Sequence, residues 1–134
     1  MCGIAGCLHD DASIQRDELE RVGREMATAL EHRGPDDHGV WADPAVGVVL
    51  AHRRLSILDL SPLGHQPMAS ADGRWIVVYN GEIYNFRELR GELEADGASF
   101  RGTSDTEVAV EADARWRADG GLRRFAVQFA LGQW

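Results

Sequence analysis

Cysteine is scarce in this sequence: Cys2 and Cys7 are the only two among 134 residues. Two thiols cannot build a disulfide framework, so nothing asks for an oxidising compartment and the fold must rest on an apolar core. An excess of basic residues is lacking as well. The formal net charge is −8, which argues against a nucleic-acid-binding surface, because such surfaces need clustered Lys and Arg. No apolar run reaches the roughly 20 residues of a membrane span. Met1 to Leu8 is apolar, but it has no basic leader region and Asp10 and Asp11 cut it short, so it does not read as a secretory signal. A cytoplasmic protein without membrane partners is the expectation. No Gly-rich loop opens a helix, which excludes a nucleotide-phosphate cradle of the usual kind. The histidines do not group with Cys or carboxylates at ligand spacing, and His9-Asp10-Asp11 reads as a surface turn, so no metal site is expected.

What is present suits one domain with a moderate core: 44% hydrophobic and 27% charged residues, without repeats, low-complexity tracts or linkers. Cys2 to Leu8 is a short apolar run that predicts a buried strand, with Cys2, Ile4 and Leu8 on one face. Arg16 to Glu31 carries Leu19, Val22, Met26 and Leu30 at helical spacing, with Asp17/Arg21 and Glu20/Arg24 pairs on the wet side. The Gly34-Pro35 pair ends that helix, and Val46 to His52 is the next strand candidate. Ser61 to Pro67 reads as a loop. Trp75 to Tyr79 predicts a strand, and Glu82 to Tyr84 a second extended piece beyond Asn80-Gly81. Asn85 with Glu88 forms a capping box before Leu89 and Leu93, and Gly97 is the expected stop. Ser104 with Glu107 forms another, opening a helix to about Asp119 with Val108, Ala112 and Trp116 as its apolar line. Phe125 to Leu131 predicts the last strand. Helices are not regularly interleaved with strands, so the fold class expected is α+β.

Cys2 is the residue with the most chemistry. Removal of Met1, which a side chain as small as Cys permits, leaves a nucleophile and a base on one residue. A free α-amino group ordinarily titrates near about 7.7–8, so it can accept a proton around neutrality. A thiol is the most nucleophilic of the usual side chains. The plainer reading is a small hydrophobe opening a buried strand. Asn80-Gly81 likewise has two readings, a type I′ hairpin turn or a place where a backbone N–H approaches a ligand closely, and both can hold together.

Several stretches, taken in order, resemble the class II glutamine amidotransferase domain of glutamine-hydrolysing asparagine synthetases. They are Met1-Cys2-Gly3-Ile4-Ala5-Gly6, His32-Arg33-Gly34-Pro35-Asp36, the run from Ala51 to Asp59, Gln66-Pro67-Met68, Tyr79-Asn80-Gly81-Glu82-Ile83-Tyr84-Asn85, and Gly102-Thr103-Ser104-Asp105-Thr106-Glu107. Together they cover roughly Cys2 to Val108. The resemblance implies an amino-terminal-nucleophile hydrolase fold, a four-layer αββα sandwich. It further implies that residues 2–134 form an incomplete glutaminase domain, because Phe125 to Trp134 follows the family's pattern only in part. A fragment, a frameshifted product and a small stand-alone relative remain alternatives.

Carried over residue by residue, the resemblance makes Cys2 the nucleophile toward the side-chain amide of free L-glutamine. The Asn80 side chain and the Gly81 N–H become the oxyanion hole. Arg54 would grip the substrate α-carboxylate with two parallel hydrogen bonds, a contact that lysine cannot reproduce. Asp105 would pair with the α-ammonium, and Leu55, Ile57 and Glu82 would complete the glutamine pocket. Taken alone, Arg54 is a surface arginine and Asp105 a first-turn carboxylate favoured by the helix dipole. The implied partner is a synthetase domain or subunit that receives ammonia and uses ATP and Mg²⁺ to amidate aspartate; that domain is absent here, and no cofactor is expected in this chain. Homodimerisation is left open. Two further readings stand beside this one: a non-catalytic binding or assembly module of the same fold, and the glutaminase domain of another class II amidotransferase.

Overall fold

A computed structural model describes residues 1–10, 13–57 and 60–134, apart from the side chains of residues 118 and 119. Asp11 of the expected surface turn, and Leu58 and Asp59 at the end of the 51–59 stretch, lie outside the described residues. The elements run β1 (Gly3–Leu8), α1 (Arg16–Ala29), β2 (Asp37–Asp43), β3 (Val48–Arg54), β4 (Met68–Ala69), β5 (Ile76–Ile83), α2 (Phe86–Ala95), α3 (Asp105–Leu122) and β6 (Val127–Gln133). They form two three-stranded antiparallel sheets, ordered β1-β3-β2 and β4-β5-β6. The mixed α and β class expected from the sequence is thus found, with wholly antiparallel sheets.

β3 is the pivot of the first sheet, and all seven of its residues are buried. Successive side chains of a strand point to opposite faces. Val49 packs with Leu19 of α1 and Ala42 of β2, while Val48 and Leu50 pack with Val78 of β5. One face of β3 therefore carries α1 and the other meets the second sheet. On the far side of that second sheet, Val77, Tyr79 and Ile83 of β5 form a core with Leu89 and Leu93 of α2 and Val108 and Ala112 of α3. The expected apolar lines of α2 and α3 are the ones buried there, with Trp116 partly buried against them.

The same alternation separates two adjacent arginines. Arg53 points to the α1 side, where Nε donates to Ala27 O at 2.9 Å, satisfying a carbonyl in the last turn of α1. Arg54 points to the opposite side, and that is the side of the cavity described below.

Some expectations need correction. β2 was not expected: Asp37–Asp43 contains Gly39 and follows the Gly34-Pro35 break, so its strand pattern is weak until β3 pairs with it. β1 is an edge strand, and Leu8 is 70% exposed rather than aligned with Ile4 in a buried face. Asn80-Gly81 is not a hairpin turn. β5 passes straight through it, pairing Asn80 with Ala130 and Gly81 with Phe129 of β6, so a long-range partner overrides the local turn tendency. Asn85 makes no cap hydrogen bond to α2. Its amide instead donates to Arg124 O and accepts from Ala126 N, both at 2.9 Å, clasping the chain that leads into β6. Ser104 does cap α3, accepting from Glu107 N at 3.2 Å, but the Glu107 carboxylate turns to the N–H groups of Arg101 and Gly102. Arg24 pairs with Glu20 as expected, whereas Arg21 pairs with Glu18 and Glu25 rather than Asp17. Gly97, at φ 86°, ends α2 as expected.

Candidate active site

A cavity of about 400 Å³ opens where the ends of the two sheets meet the first turn of α3. That size falls in the range of small-molecule sites, roughly 300–1,000 Å³. Cys2, Arg54, Leu55, Ile57, Asn80, Gly81, Glu82 and Asp105 all line it. Every residue singled out from the sequence for the site is therefore in one wall or another of a single space, although they come from four separate stretches of chain.

The position of Cys2 follows from strand pairing. Gly3 lies opposite Arg53, so the residue before β1 falls beside the end of β3. Cys2 is half-buried; its Sγ accepts from Leu55 N at 3.3 Å and donates to Leu55 O at 3.6 Å. Arg54 is buried, and its Nη1 donates to Ser61 O at 2.9 Å. Gly64 lies directly beneath the guanidinium and also lines the cavity. Ile57, 72% exposed, stands at the rim.

Gly81 is placed by the ladder of β5. Ile76 N donates to Trp134 O and Tyr84 N to Ala126 O, the residues that flank β6, so the even-numbered residues of β5 face that strand and the odd-numbered ones face the opposite edge. On this opposite edge, β4 pairs only with Ile76 and Val77. Beyond it, side chains take over. Tyr79 N donates to Gln66 Oε1 at 2.6 Å, Tyr79 O lies 3.1 Å from His52 Nε2, and Ile83 N donates to Asp105 Oδ2 at 3.0 Å. The Gly81 N–H is directed off the edge between these ties. Only glycine fits here: a Cβ would lie 2.5 Å from Gln128 O and 2.7 Å from both Phe129 Cβ and Tyr79 Oη.

The electrostatics point the same way. Asp105 is buried, and burial pushes its pKa up against the pull of the N–H donors of Ile83 and its own helix turn. A buried carboxylate with an upward shift is a place where a ligand cation gains. His52 is 1% exposed and its pKa is pushed down to about 4 by burial. It is therefore a neutral ring that donates to Tyr79 O, with Nδ1 lacking a partner among the described residues. Among the described residues, no group of three or more His, Cys, Asp or Glu side chains is arranged to hold a metal ion, and no helix is long and apolar enough to cross a membrane.

Gln66, Tyr79, Thr106 and Phe129 also line the cavity; the first three stand in the matched stretches, but none of the four was assigned to the site from the sequence. Gln66 stood in a loop and Tyr79 in a strand core, and neither setting distinguishes a site residue from an ordinary one.

Residues 1–134 match a family described as the glutamine amidotransferase domain. Among similar proteins, asparagine synthetase [glutamine-hydrolyzing] 1 of Bacillus subtilis (strain 168) is 43% identical over 110 residues, covering 82% of this chain and 17% of that protein. Asparagine synthetase [glutamine-hydrolyzing] 3 of the same organism is 38% identical over 134 residues, covering 95% of this chain and 21% of that protein. Amidase chry2 of Gibberella zeae is 38% identical over 117 residues, covering 82% of this chain and 17% of that protein. The chain thus spans about a fifth of the length of the curated relatives it matches. Matched along its whole length, this chain belongs to the glutamine amidotransferase domain family.

Proposed function

We propose that this chain is the glutaminase half of a glutamine-hydrolysing asparagine synthetase, built as the αββα sandwich of an amino-terminal-nucleophile hydrolase. Loss of Met1, which is exposed at the cavity mouth, frees the Cys2 amine. The Cys2 sulfur attacks the δ-carbonyl carbon of glutamine, and its own amine takes the thiol proton. The oxyanion of the tetrahedral intermediate accepts from the Asn80 side chain and the Gly81 N–H; removing one such donor typically costs 10²–10³ in rate. Collapse expels ammonia, which takes up the proton held by the amine. Water then cleaves the thioester, giving glutamate and restoring the thiol. Arg54 holds the α-carboxylate and Asp105 the α-ammonium, which together select free glutamine over a peptide amide.

The observation that carries this reading is the Gly81 edge. A strand edge is left open between two side-chain ties, on the cavity that the Cys2 thiol also lines. Residues 2–134 act as the glutaminase unit. The ammonia passes, in the cytoplasm, to a synthetase domain or subunit that brings the ATP, Mg²⁺ and aspartate.

Mass spectrometry of the purified chain tests the mechanism. The expected result is Met1 absent and one equivalent of a glutamine-analogue electrophile attached at Cys2. Retained Met1, or label on Cys7, overturns it. Cys2→Ala abolishes hydrolysis, whereas Cys7→Ala, at an exposed position on β1, leaves it in place.

A further inference from the structure

Gln66 is a buried residue, 4% exposed, whose side-chain amide is used at both ends. Oε1 accepts from Tyr79 N at 2.6 Å and Nε2 donates to Thr106 Oγ1 at 3.3 Å. Tyr79 immediately precedes the Asn80-Gly81 pair, and Thr106 immediately follows Asp105. One amide therefore bridges the two elements that hold opposite sides of the cavity.

The bridge fills a definite gap. Met68 pairs with Val77, so continuing the register would bring Gln66 opposite Tyr79. The backbone does not continue the pairing, because the Gln66 carbonyl is turned instead toward Gly39 of β2, where a Cβ would lie 2.2 Å from it. The side-chain amide supplies the missing acceptor instead. β5 is then tied to the start of α3 at two points, Tyr79 through Gln66 and Thr106, and Ile83 through Asp105. The Gly81 peptide lies midway between the ties.

We propose that Gln66 is a positioning residue that fixes the Asn80-Gly81 donors at a set distance from the Asp105 carboxylate. It touches neither reacting atom; it acts by holding the Tyr79 peptide. The inference rests on the glutaminase reading for its catalytic consequence, though the bridge itself can be tested apart from activity.

The test uses the full chain with Gln66→Met, Thr106→Val and Thr106→Ser, comparing kcat and KM per active site titrated with the glutamine-analogue electrophile. Backbone amide exchange is followed at Tyr79 and Gly81 in parallel. Gln66→Met is expected to lower kcat at least tenfold and raise KM severalfold, because both sides of the cavity lose their common reference. Thr106→Val shows the same trend and speeds exchange at Tyr79. Thr106→Ser, which keeps the hydroxyl, stays within threefold of the parent on every measure. The double variant Gln66→Met/Thr106→Val is no worse than Gln66→Met alone, since both changes cut one bridge.

A folded Gln66→Met chain with unchanged kcat and KM overturns the proposal, and so does Tyr79 exchange that ignores Thr106→Val. Should Gln66→Met fail to fold, Thr106→Val, which removes a single hydrogen bond, decides the matter. If the parent chain neither hydrolyses glutamine nor takes the label, the functional reading alone fails. Exchange at Tyr79 and Gly81 then decides whether Gln66 sets the spacing.

Discussion

The guanidinium of Arg54 lies where a side chain on Gly64 would have to be: a Cβ there would sit 2.1 Å from Arg54 Nη2 and 2.6 Å from Cζ. Arg54 is also tied to Ser61 O, so its end cannot swing away without losing that bond. Gly64→Ala is therefore expected to push the guanidinium out of line with a substrate carboxylate. KM for glutamine should rise about tenfold, equivalent to about 1.4 kcal/mol, with kcat changed less than threefold. Unchanged KM in steady-state glutaminase assays would show that Gly64 has no part in aiming Arg54.

Binding and transition-state roles should separate kinetically. Arg54→Lys replaces a two-pronged contact with a point charge and should raise KM strongly. Asp105→Asn leaves the substrate ammonium without its counter-charge, a loss on the order of 2–5 kcal/mol, again mainly in KM. Asn80→Ala should do the reverse, lowering kcat with little change in KM, because its donor is needed when charge develops on oxygen. Identical signatures from Arg54→Lys and Asn80→Ala would dissolve the division of labour proposed for the cavity.

Asn85 offers a test of clasp against cap. A helix N-cap accepts Asp about as well as Asn. The clasp does not, because the Asn85 amide donates to Arg124 O while its oxygen accepts from Ala126 N. Asn85→Asp would set a carboxylate against a carbonyl. It is expected to cost about 1–2 kcal/mol in urea unfolding. A neutral or stabilising result would return Asn85 to the role of an ordinary cap.

Asp113 predicts a pH dependence. It is 1% exposed, both carboxylate oxygens lack partners among the described residues, and burial raises its pKa to about 6 from an ordinary 3.8. The folded state therefore binds the proton more tightly than the unfolded chain, so stability falls as pH rises through the window from about 4 to 6. The full cost above that window is roughly 2–3 kcal/mol. Asp113→Asn, which keeps the shape and drops the charge, should be more stable than the parent at pH 7.5, with the gap closing toward pH 4. Urea midpoints at the two pH values measure this, and a gap of the same size at both would exclude ionisation as its cause.

The sequence was most readable where local signals and tertiary packing agree. The helically spaced apolar lines to which Leu19, Leu89, Leu93 and Val108 belong mark faces that the structure buries at those residues. Ser104 caps α3 as its position before Asp105 suggests. The cavity was readable through motif resemblance, not through spacing, since Cys2, Arg54, Asn80 and Asp105 are brought together by β1 pairing with β3, by the sheets facing each other and by α3 packing on β5. Where local and long-range forces compete, the sequence misleads. Asn80-Gly81 has strong turn chemistry, yet the β6 ladder keeps it extended. Asn85 has strong cap chemistry, yet the free backbone groups near β6 claim its amide. β2 shows little pattern of its own because its register comes from β3. Gln66 stands in a matched stretch, but its bridging role is not legible there, because it depends on a strand that stops two residues early.

That early stop of β4 has a consequence for the chain's conduct toward other copies of itself. An unpaired strand edge invites another strand to add to it, which is a common start of aggregation. Here the free edge of β5 is occupied on either side of Gly81 by Gln66, His52 and Asp105, and Gly81 itself is recessed into a cavity. The residues that shape the site also make the edge unavailable to a foreign strand. Loss of these side chains would thus be felt in solubility as well as in turnover, and a ligand seated in the cavity would guard the edge further.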